Sequence, residues 1–249
     1  METLTALLRN SAHDYKDNIA LQFKKDGEWK GISYREMLEK VDQIGLALFA
    51  AGLERSDKVA IFSPNRPEWA IADFAIQSVT AITIPIYATN TAAQVDYILK
   101  DANCKALFVG DRQQLNVIQS VIQNNDQLKL VVLFDDLSEE IDRIVDLKQF
   151  IKLEVSDTIK EEFRKNAGLR DTADVSTIIY TSGTTGDPKG VMLSNKNFFH
   201  QFMAFEANFD IDESDKSLCF LPLSHVYERM WSYMVFKFGA TNYYIEDPK

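Results

Sequence analysis

Cysteine is scarce in this chain: two among 249 residues, Cys104 and Cys219, 115 positions apart. Neither stands in a CxxC pair or at zinc spacing from a histidine, which excludes a disulfide framework and predicts two buried or half-buried thiols. Glycine (10) and proline (6) are too few for a collagen-like or low-complexity chain. Basic charge is short as well: 27 Lys+Arg against 37 Asp+Glu give a net charge of −10. No stretch carries the basic run with which a general nucleic-acid binder releases counterions, so no nucleic-acid partner is expected. Long apolar runs are also missing. The most apolar stretch, 70–88, is broken by Asp73, Gln77, Ser78, Thr80 and Pro85, and falls short of the roughly 20 apolar residues that span a bilayer. Residues 1–9 lack the basic-then-apolar pattern of a secretory leader. A soluble, cytoplasmic protein is the expectation. What is present is a globular mix, 46% hydrophobic and 26% charged, with length for one to two domains at roughly 150 residues each. An anion bound by so acidic a chain has to be held by local geometry.

Strand and helix patterns alternate along the chain. Segments 19–24 and 28–32 flank Asp26-Gly27, a hairpin signal because both residues tolerate positive φ. Ser33-Tyr34-Arg35-Glu36 reads as a capping box, opening a helix with Met37, Leu38, Val41, Ile44 and Leu48 on one face and Gly52 just past its end. Strands are expected at 58–63, 81–87, 105–110 and 128–134, and helices at 68–79, after the capping box Thr91-x-x-Gln94, and at 113–124. Pro85 suggests an edge or a bulge for its strand. Repetition of β then α predicts an α/β fold of mixed, mostly parallel sheets with helices on both faces. Residues 135–174, rich in charge, read as a surface connector with two helical pieces and a solvated acidic run at 139–146. Strand character returns at 175–180. The division expected is an N-terminal α/β subdomain, 1–174, with this connector at about 135–174, and the start of a second α/β subdomain, 175–249.

The loop after that last strand is the most informative stretch: Thr181-Ser182-Gly183-Thr184-Thr185-Gly186-Asp187-Pro188-Lys189-Gly190-Val191. Glycines let backbone amides approach a ligand with no Cβ in the way. Such amides, with hydroxyls and one ammonium, suit the oxygens of a polyphosphate. The spacing is neither the Walker GxxxxGK[ST], which would need glycine where Pro188 stands, nor GxGxxG, which Thr184-Thr185 interrupt. By composition alone this is equally a Ser/Thr/Gly surface loop; the strand in front, the lysine at fixed offset and the strand 191–193 behind favour a phosphate loop. Further on, Leu221-Pro222-Leu223-Ser224-His225-Val226-Tyr227-Glu228-Arg229 opens an apolar helix. On residue type alone, His225 there is more often a structural cap than a ligand, and Glu228 with Arg229 reads equally as a salt-bridged face. Phe198, Phe199, Phe202, Phe205 and Phe209 read as core before tunnel lining, and His13 and His200 as structural or surface residues.

The 181–191 run resembles the signature loop of the adenylate-forming (AMP-binding) superfamily, whose members include acyl-CoA synthetases, luciferases and peptide-synthetase adenylation domains. The 221–229 run resembles the LPLxHxxER signature of long-chain fatty-acid CoA ligases. Resemblance at 33–36, 52–69 and 85–110 extends the match over nearly the whole chain. It implies the N-terminal domain of an ATP-dependent ligase, in which a long-chain fatty acid attacks the α-phosphate of ATP to give acyl-AMP and coenzyme A then takes the acyl group. On that reading Thr181, Ser182, Gly183, Thr184, Thr185, Gly186 and Lys189 hold the nucleotide phosphates, and Thr184 also meets Mg²⁺. His225, Val226 and Glu228 lie beside the acyl chain and carboxylate. Lys189, His225 and Thr184 are the catalytic candidates. The family's later motifs are absent: the aromatic-Gly-x-Thr-Glu segment, the ribose-binding aspartate, the hinge and the C-terminal lysine. An N-terminal piece of a ligase, inactive alone, is therefore expected. The alternatives are another carboxylate-adenylating enzyme and a short non-catalytic nucleotide- or lipid-binding protein. Peripheral contact with the inner membrane face is compatible with either.

Overall fold

A computed structural model describes residues 3–167, 169, 171–181 and 187–245. The chain opens with α1 (Leu4–Asp14), the hairpin β1 (Ile19–Lys25) and β2 (Glu28–Ser33), and α2 (Tyr34–Ala50). An alternating stretch follows: β3 (Lys58–Phe62), α3 (Pro67–Ser78), β4 (Ile82–Ile86), α4 (Ala92–Asp101), β5 (Cys104–Val109), α5 (Arg112–Gln123) and β6 (Leu130–Leu133). Then come β7 (Ile144–Asp146), α6 (Leu147–Phe150), α7 (Asp157–Asn166), the pair β8 (Val175–Thr181) and β9 (Lys189–Ser194), and α8 (Asn195–Glu206). The last elements are β10 (Lys216–Cys219), α9 (Val226–Lys237) and β11 (Thr241–Tyr244). Local chemistry accounts for many of these bounds. Asp26 and Gly27 turn the hairpin at φ 54° and 80°, and both capping boxes form, Ser33 with Glu36 and Thr91 with Gln94. Gly52 leaves α2 at φ 82°, where a Cβ would be strained.

Two sheets result. The larger has the order β7-β6-β5-β3-β4-β8-β9, parallel throughout except for the antiparallel β8–β9 pair. The smaller has the order β10-β11-β1-β2, with β10, β11 and β1 parallel and β1–β2 antiparallel. This is the expected mixed, mostly parallel α/β architecture. The inner strands are apolar along their length because helices cover both faces. Helix α3 is mostly apolar and buried along almost its whole length, as a helix enclosed by other elements must be. Both sheets draw on strands from either side of position 174, so strand pairing does not follow the expected subdomain division.

Three expectations need correction. Strand β4 is internal and fully buried, not an edge. Pro85 stands opposite Ile61 of β3, and the β4–β8 register, Thr83 with Thr177, lies two residues before it. The 135–174 segment is not merely a surface connector: β7 extends the large sheet, and Phe150 and Phe163 enter the core, Phe163 against Phe49. Asp146, expected in a solvated acidic run, is buried, where its carboxylate accepts from Gln149 N at 2.8 Å and caps α6. Both cysteines are buried and free, as anticipated.

Candidate active site

The sequence's richest segment begins and ends on a ladder. Thr181 closes β8, Lys189 opens β9, and the two are cross-strand partners, so the chain on either side of 182–186 is held together by the sheet. Both side chains are exposed, and Lys189 makes no ion pair among the described residues. Gly190 follows because the space is taken: a Cβ there would lie 2.7 Å from Ile178 Cγ2 and 3.3 Å from the Tyr180 ring. Ser182, Gly183, Thr184, Thr185 and Gly186, named from sequence as phosphate contacts, lie outside the described residues. Strand β8 is parallel to β4, so this loop leaves the carboxyl end of the sheet, where open α/β sheets place ligands.

The second motif is built as a turn and a helix start. The Asn65 amide, just beyond the carboxyl end of β3, donates to Leu221 O at 2.6 Å, and its oxygen accepts from Leu223 N at 2.8 Å. The turn then closes with His225 N donating to Pro222 O. His225 is the N-cap of α9: its Nδ1 accepts from Tyr227 N at 3.2 Å, which places the ring proton on Nε2. The ring is exposed, as is Val226. His225 is thus a cap in structure and still presents Nε2 to solvent.

Glu228 and Arg229 turn the other way. Glu228 is buried, and its Oε2 accepts from Leu221 N at 3.2 Å while Oε1 has no partner. Burial raises its pKa above the ordinary carboxylate range, with the Cys219 thiol and the Leu221 amide acting against that rise. His225, Val226 and Glu228 are therefore not presented to one surface. Arg229, 1% exposed, is at the centre of a network that sequence reasoning missed. Its Nε and Nη2 grip the two oxygens of Asp73 in α3, Nε also donates to the Tyr233 hydroxyl oxygen, and Nη1 donates to Thr177 Oγ1 in β8 at 2.6 Å. Thr83 Oγ1 donates to Asp73, Gln77 donates to Thr83 and to Ser176 O, and Arg229 lies over the Trp69 ring. Every member is paired, which is what makes a buried charge tolerable. The "salt-bridged face" is an interior strut joining α9 to α3 and to β8, the strand that leads to Lys189. Two opposite charges, Asp73 and Arg229, each among apolar residues in a largely buried helix, were the available signal.

Of the aromatic group, Phe198 and Phe202 are core, while Phe205 and Phe209 stack at 5.3 Å and both meet Trp231 edge-on. Phe209 is 49% exposed. Among the described residues no group of three or more His, Cys, Asp or Glu could hold a metal ion. The residues present thus give Mg²⁺ no donor set, Thr184 being outside them. No described helix is long and apolar enough to cross a membrane.

Two sheets flanked by helices, with a hydroxyl- and glycine-rich segment and its lysine at the carboxyl end of one of them, define the class of adenylate-forming N-terminal domains. The chain belongs to the AMP-binding enzyme family, whose model matches residues 8–249. It is 32% identical over 251 residues to the long-chain-fatty-acid–CoA ligase FadD15 of Mycobacterium bovis, covering 100% of this chain and 41% of that one. It is 31% identical to long chain acyl-CoA synthetase 1 of Arabidopsis thaliana, covering 94% and 37%. The chain thus spans about two fifths of the length of these curated relatives. In fold it is similar to the luciferase-like enzyme of the mealworm Zophobas morio (TM-score 0.84, 18% identity, 100% of this chain and 55% of that one). It is also similar to the N-terminal domain of FACL13 from Mycobacterium tuberculosis (TM-score 0.76, 20% identity, 100% and 58%).

Proposed function

We propose that this chain is the nucleotide-gripping part of an ATP-dependent long-chain fatty-acid–CoA ligase. The observation that carries the reading is Lys189: an exposed cation with no ion pair among the described residues, at the mouth of a mostly parallel sheet, in a chain of net charge −10. The names of the relatives, long-chain fatty-acid CoA ligases, support the substrate class. A fatty carboxylate attacks the α-phosphate, the bond to pyrophosphate breaks, and acyl-AMP forms; the thiol of coenzyme A then takes the acyl group and AMP leaves. Charge accumulates on the departing pyrophosphate, and a preorganised cation beside it lowers that barrier. In this reading Lys189 supplies the charge and Thr181 a hydroxyl, with Ser182, Gly183, Thr184, Thr185 and Gly186 completing the cradle. Magnesium would accompany ATP as its counterion, with Thr184 the residue that would meet it. His225 Nε2 and Val226 border the carboxylate and acyl chain, and Glu228 acts at one remove by holding the turn at Leu221. A cytoplasmic location supplies ATP and coenzyme A, and peripheral contact with the inner membrane face supplies long-chain acids.

The test is pyrophosphate release from ATP with palmitate. A protein of the relatives' full length carrying this segment is expected to release it and form acyl-CoA; the 249-residue chain alone is expected to do neither. Pyrophosphate release by the chain alone would refute the second half, and an unaffected Lys189→Ala enzyme would refute the first.

A further inference from the structure

Helix α4 touches the phosphate segment from outside, and it does so twice. The Tyr97 hydroxyl donates to Pro188 O at 3.2 Å, and the Asp101 carboxylate accepts from the Tyr180 hydroxyl at 2.5 Å. Pro188 immediately precedes Lys189, and Tyr180 immediately precedes Thr181. The two anchors therefore flank the Thr181–Lys189 pair, one on each arm: Tyr180 on the strand side of Thr181 and Pro188 on the loop side of Lys189. Tyr97 and Asp101 are four apart in α4, the spacing that stacks side chains on one helix face. The Tyr97 and Tyr180 rings also meet edge-on, their centroids 6.5 Å apart. The helix bearing them is firmly seated: Val95, Ile98 and Leu99 are buried in the same core cluster as Tyr180, and the Thr91–Gln94 box fixes its start. Neither residue belongs to a motif recognised in the sequence.

We infer that Tyr97 and Asp101 are positioning residues that set where Lys189 stands relative to the phosphates, with α4 as the fixed support. This rests on the phosphate reading of the 181–189 segment. Neither residue touches the ligand in this account; each acts through the backbone or side chain of the arm it holds. An anchor of this kind matters because an exposed lysine at a strand end has no packing of its own to define it, and placement rather than charge then limits its effect.

The experiment titrates the chain with inorganic tripolyphosphate by calorimetry, with melting temperature recorded beside it. Variants are Tyr97→Phe, Asp101→Ala and Lys189→Ala, with Lys100→Ala as a control for lost charge on the same helix; among the described residues Lys100 pairs only with Asp96. Expected is a loss of affinity of about 3–10-fold for Tyr97→Phe and for Asp101→Ala, the factor a single hydrogen bond carries. Lys100→Ala should bind as the unaltered chain does, and Tyr97→Phe should keep its melting temperature within roughly 2 °C. If Lys189→Ala abolishes binding while Tyr97→Phe binds unchanged, the positioning role is overturned and the phosphate reading stands. If Lys189→Ala binds unchanged, or the unaltered chain does not bind, the phosphate reading falls and this inference with it. Should Asp101→Ala unfold, Tyr97→Phe alone decides.

Discussion

Arg229 and Lys189 are both cations close to a signature motif, and their surroundings are opposite. Arg229 is 1% exposed, with every face committed to Asp73, Tyr233, Thr177 and the Trp69 ring. Lys189 is exposed and has no hydrogen bond to another side chain among the described residues. A cation so enclosed has no valence left for a substrate, whereas one left open is free to meet an anion. Motif membership thus covers two kinds of work, and burial separates them. One cation holds sheets and helices in register, while the other, in the function proposed above, meets the ligand.

The largest expected effect breaks the buried side. Arg229→Met leaves Asp73 charged, buried and unpaired, which should cost about 3–5 kcal/mol of folding stability, measured by denaturant unfolding. A loss under 1 kcal/mol would mean that Asp73 finds another partner and the strut is dispensable. Next comes the exposed side. Lys189→Ala should leave stability within about 0.5 kcal/mol, as exposed substitutions do. In a ligase carrying the remaining motifs it should remove about 2–4 kcal/mol of transition-state stabilisation, read from kcat/KM for ATP. Equal stability losses in both variants would erase the contrast.

A smaller effect lies between the two extremes. Glu228 is buried one residue before Arg229 and lacks a full set of partners. Its pKa is raised above the usual 4.5 by burial. The folded chain therefore keeps this proton to higher pH than the unfolded chain. Stability from this group is present below the unfolded pKa and is lost as pH rises through the folded one. Glu228→Gln should flatten that decline, with a gain of about 1 kcal/mol or less at neutral pH. Unfolding curves from pH 4 to 8 that stay parallel for both proteins would show that Glu228 is ionised in the folded state.

Much of the framework was legible because its causes are local. Capping boxes at Ser33 and Thr91, the Asp26-Gly27 turn and the apolar strands between helices each announce themselves within a few residues. The segment at 181–189 was legible for the same reason, since glycine, hydroxyls and lysine are contiguous. What escaped depends on contacts far apart in sequence. Asp73 and Arg229 are 156 residues apart, and Tyr97 and Pro188 are 91 apart; no periodicity links them. Pro85 misled because edge placement is inferred from a missing donor, whereas β4 lies between β3 and β8 with the proline opposite Ile61. Phe150 and Phe163 were hidden by the charge around them, which lies on the outward faces of their helices.

The smallest effect decides how His225 is to be understood, because it belongs to both sides of the comparison. Its Nδ1 caps α9 while its ring stands in solvent. His225→Ala removes both, and loss of a cap costs about 0.5–1 kcal/mol. His225→Asn restores a preferred cap without restoring an imidazole, so stability should return to within a few tenths of a kcal/mol of the unaltered chain. If the ring faces the substrate, ligase activity stays low in both variants while only the alanine variant is less stable. If activity returns with asparagine, the histidine is a cap and nothing more, and among the described residues the chemistry falls to Lys189 and Thr181. The asparagine variant is the sharper instrument, since it separates a structural role from a chemical one within a single side chain.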